Sequence, residues 1–315
     1  MKIKRLISFL LLFALFSGTL TSCRYLSVDY YKKEERAKVN EYSITVSDFS
    51  GNSYILEKAP AGIYVSSPSA AEIIVELGAG RLIKSCSAEC KELSGMPSSA
   101  RVSSGGFITP DALKSLGIDT VIFSSEDGGT DAEALKNKGF NVFVFSDKGG
   151  VATAEANIRL AGAVTFKADL AETIIKDMRD DISVVKALAA KAKIKRKVYA
   201  EGGTPDKYFA YSAGSMIGEL ITLAGGENVF TNESEETVNV DASTMLQTNP
   251  EIIISFVEAE KFSANDIRKR KDFENISACK NGQVFLYDST MPAVRPAPSL
   301  TDALYQIAKF IGTAE

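Results

Sequence analysis

Apolar and polar positions alternate differently in different parts of the chain, and each regime predicts a different element. The first is a predominantly apolar run over residues 6–16, interrupted only by Ser8, preceded by Lys2, Lys4 and Arg5 and leading to Leu20-Thr21-Ser22-Cys23. The run is too short to cross a bilayer, which takes ~20 apolar residues. A basic start, a short apolar core and small residues at the end are the layout of a secretory signal. Residues 24–40 carry charges, including Lys32-Lys33-Glu34-Glu35-Arg36, without an apolar stripe, and read as a solvated tether. Period-two alternation in Tyr42-Ser43-Ile44-Thr45-Val46, with a turn at Ser50-Gly51-Asn52, predicts a β-hairpin.

Short apolar runs then alternate with helical patterns. Residues 63–65, 120–123 and 141–145 read as strands, and residues 69–77, 110–116 and 131–138 as helices. Such alternation predicts a parallel sheet covered by helices. Residues 152–193 hold no proline and a single glycine, Gly162, while Leu170, Ile174, Met178, Ile182, Val185 and Ala189 recur at intervals of four or three. That is an amphipathic helical stripe. Residues 167–193 as one helix span ~40 Å at 1.5 Å per residue, long for a compact α/β domain and suited to joining two. The stripe is too brief for a coiled-coil arm.

Two segments before this helix echo two after it. Residues 69–80 match 215–226 in apolar positions and glycine ending, and 111–119 with the strand that follows match 243–251 with Ile252-Ile-Ile-Ser255. The common order of the two matches predicts an α/β protein of two Rossmann-like lobes joined by a single long helix. The divisions are a signal over 1–23, a tether over 24–40, an N-terminal lobe over 41–150, a connecting helical region over 151–194 and a C-terminal lobe over 195–315.

Composition narrows the chemistry. Apolar residues make up 45% and charged residues 24%, with a net charge of -4; this is a globular balance without the basic excess that nucleic acid attracts. There is no histidine, which excludes a His-ligated metal, a Ser-His-Asp triad and a Cys-His pair. Tryptophan is absent too, so an aromatic pocket must use Tyr or Phe. Cys86 and Cys90 are close enough in sequence for a disulfide or a soft metal pair, but nothing places Cys279 beside them. Small buried or loop thiols are the favoured reading, a disulfide the next. Neither a metal site nor a cofactor is expected.

Leu20-Thr21-Ser22-Cys23 resembles the lipobox of bacterial lipoproteins, which implies lipidation of Cys23 and a body held at the extracytoplasmic face of the cell membrane. Five further places are similar to segments of one family: Ile44-Thr-Val-Ser-Asp-Phe-Ser-Gly51; Val65-Ser-Ser-Pro-Ser-Ala-Ala-Glu72-Ile running to Leu77-Gly-Ala-Gly80; Gly105-Gly-Phe-Ile-Thr-Pro-Asp-Ala-Leu113; Ile217-Gly-Glu-Leu continuing through Ala224-Gly-Gly-Glu-Asn-Val-Phe230; and Arg295-Pro-Ala-Pro-Ser-Leu300. In this order they resemble the substrate-binding proteins of ABC importers for iron–siderophores, haem and vitamin B12, over nearly the whole chain beyond the tether.

That resemblance implies a monomeric binding protein rather than an enzyme, with a small-molecule cleft between the lobes and an ABC permease and its ATPase as partners. By position the cleft is lined by Ser67, Ser69, Gly105, Gly106, Phe107, Tyr211, Ser212 and Arg295. Phe107 and Tyr211 offer flat apolar faces, and Arg295 can pair with carboxylate or phosphate oxygens. For the serines and glycines a turn or cap is at least as good a reading, and for Arg295 the plain alternative is a surface salt bridge. Glu72 reads as a solvated helix residue. The family's permease-docking carboxylates fall on Asp111 and on Ser243, which carries no charge, although Asp241 lies two residues earlier. Asp111 reads equally well as an acid favourable at a helix N-terminus. Ser299 replaces a second arginine of the family's Pro-Arg segment, leaving the cleft less basic. With no imidazole to ligate iron, haem ranks below an iron–siderophore or a corrinoid as cargo. The competing classes are a cleft enzyme, such as a chelatase or hydrolase, for which no acid–base pair is evident, and a ligand-sensing surface receptor without transport.

Overall fold

The computed structural model describes residues 44–103, 108–125, 132–192, 194–232, 234–257 and 262–314. The segments read as signal and tether, Cys23, Gly105, Gly106 and Phe107 lie outside them. In chain order, the first part holds β1 (Ile44–Ser47), β2 (Ser53–Leu56), β3 (Ile63–Val65), α1 (Pro68–Glu76), β4 (Ile83–Cys86), α2 (Ala88–Lys91), β5 (Arg101–Val102), α3 (Pro110–Ser115), β6 (Thr120–Ser124), α4 (Ala132–Lys136) and β7 (Asn141–Phe145). Two longer helices follow, α5 (Val151–Val164) and α6 (Ala168–Ala189). The remainder holds β8 (Lys197–Thr204), β9 (Lys207–Tyr211), α7 (Met216–Leu223), β10 (Glu227–Asn228), β11 (Thr237–Asn239), α8 (Ala242–Thr248), β12 (Ile252–Ser255), α9 (Ala264–Arg268), α10 (Ser277–Lys280), β13 (Val284–Leu286) and α11 (Leu300–Ile311).

The expected hairpin forms from β1 and β2, paired antiparallel around Gly51, whose φ of +81° suits a residue without a Cβ. Asp48 in its turn is fully buried and takes the N–H groups of Ser50, Asn52 and, from β7, Val144. The hairpin is thereby pinned to the first sheet. That sheet is parallel throughout, in the order β5-β4-β3-β6-β7. Every residue of β3 and β6 is buried, as expected for strands covered by helices on both faces.

The second sheet repeats this plan and adds to it. β10, β8, β12 and β13 pair parallel in that order, the same arrangement as β4-β3-β6-β7. The sequence echo is therefore a structural repeat, in which α1 corresponds to α7, α3 to α8 and α5 to α11. The added part is antiparallel. β8 runs on to Thr204 and turns back as β9, with β11 on its far side.

The connection differs in detail from one uninterrupted helix. Helix formation stops at Thr165 and restarts at Ala168, and between them Phe166 takes the left-handed conformation (φ +59°). α5 folds back antiparallel on α6. Gly162 permits that approach, since a Cβ there would lie 2.5 Å from the Ala171 Cβ. Across the pair Arg179 meets Glu155 and Arg159 meets Glu172, while Arg159 also pairs with Glu155 one turn away on α5 itself. α5 packs on α1, while α6 packs on α7 and α11, so α6 alone crosses between the lobes, spanning about 33 Å at 1.5 Å per residue. Its buried stripe is Ala171, Ile175, Met178, Ile182 and Val185, with Leu170 left 40% exposed. The stripe matches the sequence spacing at Met178, Ile182 and Val185 and is one position later in its first two turns, at Ala171 and Ile175.

Candidate ligand cleft

The C-terminal ends of parallel strands, where backbone groups are no longer paired within the sheet, are the usual place for a site in an α/β sheet. Here both lobes bring those ends to one cavity of about 260 Å³. The N-terminal lobe contributes Asp147, Lys148 and Gly149 from the segment after β7. The C-terminal lobe contributes Tyr211 at the end of β9, Ser215, Met216 and Ile217 at the start of α7, Glu236, Phe256 just beyond β12, and Val294.

Aromatic side chains build the C-terminal wall. Tyr211 meets Phe256 edge-on with centroids 5.8 Å apart, Phe256 stacks on Tyr287 at 4.7 Å, and Tyr287 contacts Phe310 of α11. The Tyr287 hydroxyl donates to the Pro292 carbonyl at 2.6 Å, which fixes the ring. Burial raises the Tyr211 phenol above its ordinary value. At neutral pH it stands as an uncharged donor on an apolar face.

Ser67 and Ser69 are fully buried and sit behind this cavity rather than on it. The Ser67 hydroxyl accepts the Ala70 N–H to cap α1 and donates to Asp147 Oδ1 at 3.1 Å; the Ser69 N–H donates to the same oxygen at 2.9 Å. Their geometry orients Asp147, whose Oδ2 has no hydrogen-bond partner among the described residues. Asp147 itself escapes the sequence reading, although an acid in the Ser-Asp-Lys-Gly-Gly segment directly after an apolar strand is a signal of position. Ser212 is also buried. Its hydroxyl donates to the Glu235 carbonyl and accepts the Gly214 N–H, closing the turn into α7. Of the expected ligand residues within the described chain, Tyr211 lines the cavity.

Arg295 is not among the residues that line this cavity, and its buried Nη1 has no hydrogen-bond partner among the described residues. Its Nε lies 3.7 Å from Glu72 Oε2, and its neighbour Val294 takes the place on the cavity wall. Glu72 is correspondingly not a solvated helix residue: it accepts the Ser299 N–H and hydroxyl at 2.8 and 3.0 Å. A proline-flanked loop does present residue 295 as a fixed unit, but its charge already has an intramolecular partner.

Asp111 and Ser243 hold the same place in the two lobes, each the second residue of its helix, α3 or α8, and both are exposed. Asp241 caps α8. Its Oδ1 accepts the Thr244 N–H at 2.7 Å, and that backbone hydrogen bond holds its carboxyl below the usual carboxylate range. It remains charged and exposed while serving as a cap.

Cys86 and Cys90 are free and fully buried. Burial pushes the Cys90 thiol up to about 12 and raises that of Cys86. A thiol with a raised pKa carries almost no thiolate at neutral pH and is a poor nucleophile. Iodoacetamide at pH 8 is therefore expected to leave both unmodified in the native protein and to label both after denaturation, as read by peptide mass spectrometry. Native labelling of either would contradict the buried, protonated state.

Comparison with known proteins agrees with this architecture. Residues 63–291, well over half of the chain, match the family described as periplasmic binding protein. The "High-affinity heme uptake system protein IsdE" of Staphylococcus aureus is 29% identical over 119 residues, 35% of this chain and 41% of that protein, so the match spans less than half of the relative's length. A possible iron-binding (periplasmic solute-binding) protein from Staphylococcus epidermidis has a similar fold, with a TM-score of 0.71 at 20% identity over 81% of this chain and 99% of the other. The vitamin B12 binding protein BtuF of Vibrio cholerae aligns with a TM-score of 0.62 at 18% identity, covering 80% and 97%. With its repeated parallel sheets, the crossing helix and the cavity between the lobes, the chain belongs to the periplasmic binding protein family.

Proposed function

We propose that this protein is the lipid-anchored receptor of an ABC importer, capturing an iron–siderophore or corrinoid-type ligand between its lobes and delivering it to a membrane permease. The observation that carries this reading is the aromatic-walled cavity to which both lobes contribute. A ligand touching both lobes favours the lobe arrangement in which the two walls face each other, by differential binding. The named relatives, which serve heme, iron and vitamin B12, support a flat or chelate-type cargo. With no histidine in the chain, the lining would offer bare haem the Tyr211 phenol, the Met216 thioether or the Lys148 amine as an axial ligand. Cys23 would hold the receptor close to its permease, raising the effective concentration. Asp111 on one lobe and Asp241 on the other would supply the docking charges, Asp241 in place of the uncharged Ser243.

The test is a binding screen of the purified protein against haemin, ferric siderophores and their iron-free forms, cobalamin and cobinamide, by tyrosine fluorescence and thermal shift. At least one is expected to bind; binding no tighter than ~10 μM for all of them would overturn the reading. Asp111→Arg is expected to impair uptake in cells while leaving affinity unchanged. A loss of affinity in that variant would remove Asp111 from the docking surface.

A further inference from the structure

Helix α5 begins after Gly150 and α11 begins after Ser299, and neither start is capped by a side chain of its own cap residue. The first N–H groups of a helix have no intrahelical acceptor, and that end carries partial positive charge. At α11 the Leu300 and Thr301 N–H groups already donate to the Ala297 and Pro298 carbonyls of the preceding turn, and each helix start also receives a glutamate carboxylate from the opposite lobe. Glu219 of α7 accepts the Val151 N–H through Oε2 at 3.2 Å. Glu72 of α1 accepts the Ser299 N–H through Oε1 and the Ser299 hydroxyl through Oε2.

The exchange is reciprocal in the repeat. α1 and α7 are equivalent, and each glutamate stands six residues before the left-handed glycine that ends its helix, Gly78 (φ +64°) or Gly225 (φ +85°). α5 and α11 follow the equivalent strands β7 and β13. Each lobe's leading helix thus caps the other lobe's closing helix. Gly150 is part of the device, since a Cβ there would coincide with the Glu219 carboxylate. Asn157 of α5 reinforces it, donating to both the Ser146 and the Pro296 carbonyls.

Both contacts lie at cavity walls. Val151 directly follows the segment that gives Asp147, Lys148 and Gly149 to the lining, and Ser299 ends the segment that gives Val294. We infer that Glu72 and Glu219 are paired positioning residues of the cleft, each fixing a wall segment contributed by the other lobe. The inference rests on the cleft being the ligand site proposed above. Neither glutamate belongs to the cavity lining itself.

Amide hydrogen exchange on the full-length protein in detergent tests this without any ligand. Glu219→Ala is expected to accelerate exchange about tenfold or more over residues 149–154, in the lobe opposite the substitution, and to leave 297–302 unchanged. Glu72→Ala is expected to do the reverse. Glutamine at either position keeps an acceptor and is expected to restore most of the protection. Gly150→Ala, which displaces the Glu219 carboxylate without deleting it, is expected to reproduce the Glu219→Ala pattern. Faster exchange confined to the substituted helix, a uniform change over the whole molecule, or no change would each overturn the inference. The double variant Glu72→Ala/Glu219→Ala is expected to bind whichever of haemin, ferrioxamine B or cyanocobinamide the native protein binds about tenfold more weakly; unchanged affinity would overturn the positioning role. If the native protein binds none of these probes, the receptor reading fails for those cargoes, while the crossed exchange pattern still decides the clasp.

Discussion

Arg270→Ala is expected to destabilise the protein by about 3–5 kcal/mol, the range for removing one partner of a buried ion pair, and to lower Tm by roughly 10 °C. Glu201 is fully buried at the C-terminal part of β8, and Arg270 reaches it with two hydrogen bonds, at 2.6 and 3.1 Å. Tyr199 and Ser255 donate to the same carboxylate at 3.0 and 2.8 Å, leaving it with four donors. The guanidinium also lies over the Tyr208 ring at 3.7 Å, a contact that a planar cation makes and an ammonium makes poorly. Alanine at 270 leaves the carboxylate in place with two neutral donors and no counter-charge. The expected loss therefore reflects the stranded Glu201 more than any intrinsic worth of the pair. Glu201→Gln combined with Arg270→Met removes both charges and is expected to lose less than Arg270→Ala alone, by chemical denaturation. A loss below about 1 kcal/mol for Arg270→Ala would mean that the pair behaves as a solvated surface pair. The network also reaches the cleft, since the Glu201 carbonyl accepts the Phe256 N–H at 2.8 Å and so holds the cavity's aromatic wall.

Gly218→Ala is the second large effect, expected to cost about 1–3 kcal/mol through overpacking and to weaken ligand binding roughly tenfold, about 1.4 kcal/mol. A Cβ at 218 would overlap the Ser212 carbonyl oxygen and lie 2.8 Å from the Ala213 Cα, and backbone cannot rotate away as a side chain would. α7 must therefore shift from the end of β9. That junction carries Tyr211 on one side and Ser215, Met216 and Ile217 on the other, all of them cavity lining. Gly78→Ala is the matching control. It meets nothing within 4 Å and is far from the lining, so it is expected to cost about 1–2 kcal/mol for its left-handed conformation and to leave affinity unchanged. Equal affinities for Gly218→Ala and the native protein, measured by ligand titration, would show that the cleft does not depend on how α7 seats against β9.

Local pattern made much of this legible in advance. The strands β3 and β7 coincide with their apolar runs, and the hairpin, α1 and α3 fall within a residue or two of expectation, because each is specified by neighbours in sequence. The echo between the two halves marked the repeat for the same reason. What escaped has a common cause. The short strand β13 and the antiparallel β9 and β11 carry little periodicity of their own and form because neighbouring strands are there to pair with. The break at residues 165–167 has neither proline nor glycine to announce it; it follows from the packing of α5 back onto α6.

The site residues divide the same way. Ser67 and Ser212 lie in turns after strands and Ser69 in the first turn of α1, places where ligand contacts and structural hydrogen bonds are equally at home, and only their burial and partners separate the two. Arg270 lies in Arg-Lys-Arg-Lys over residues 268–271, a run that reads as solvated surface, yet it alone of the four reaches Glu201. Glu72 and Glu219 look like ordinary exposed helix acids until the other lobe places a helix N-terminus in front of each.

By itself the sequence determined the short apolar segment over residues 6–16, the absence of histidine chemistry, the alternation of strands and helices and the existence of two related halves, since all of these are properties of residue type and short-range spacing. The tertiary structure decided which polar groups face the cleft, which support it from behind, and how the halves hold one another. Those depend on where chains far apart in sequence bring a donor to an acceptor, and a hydrogen bond is won or lost within a few tenths of an ångström.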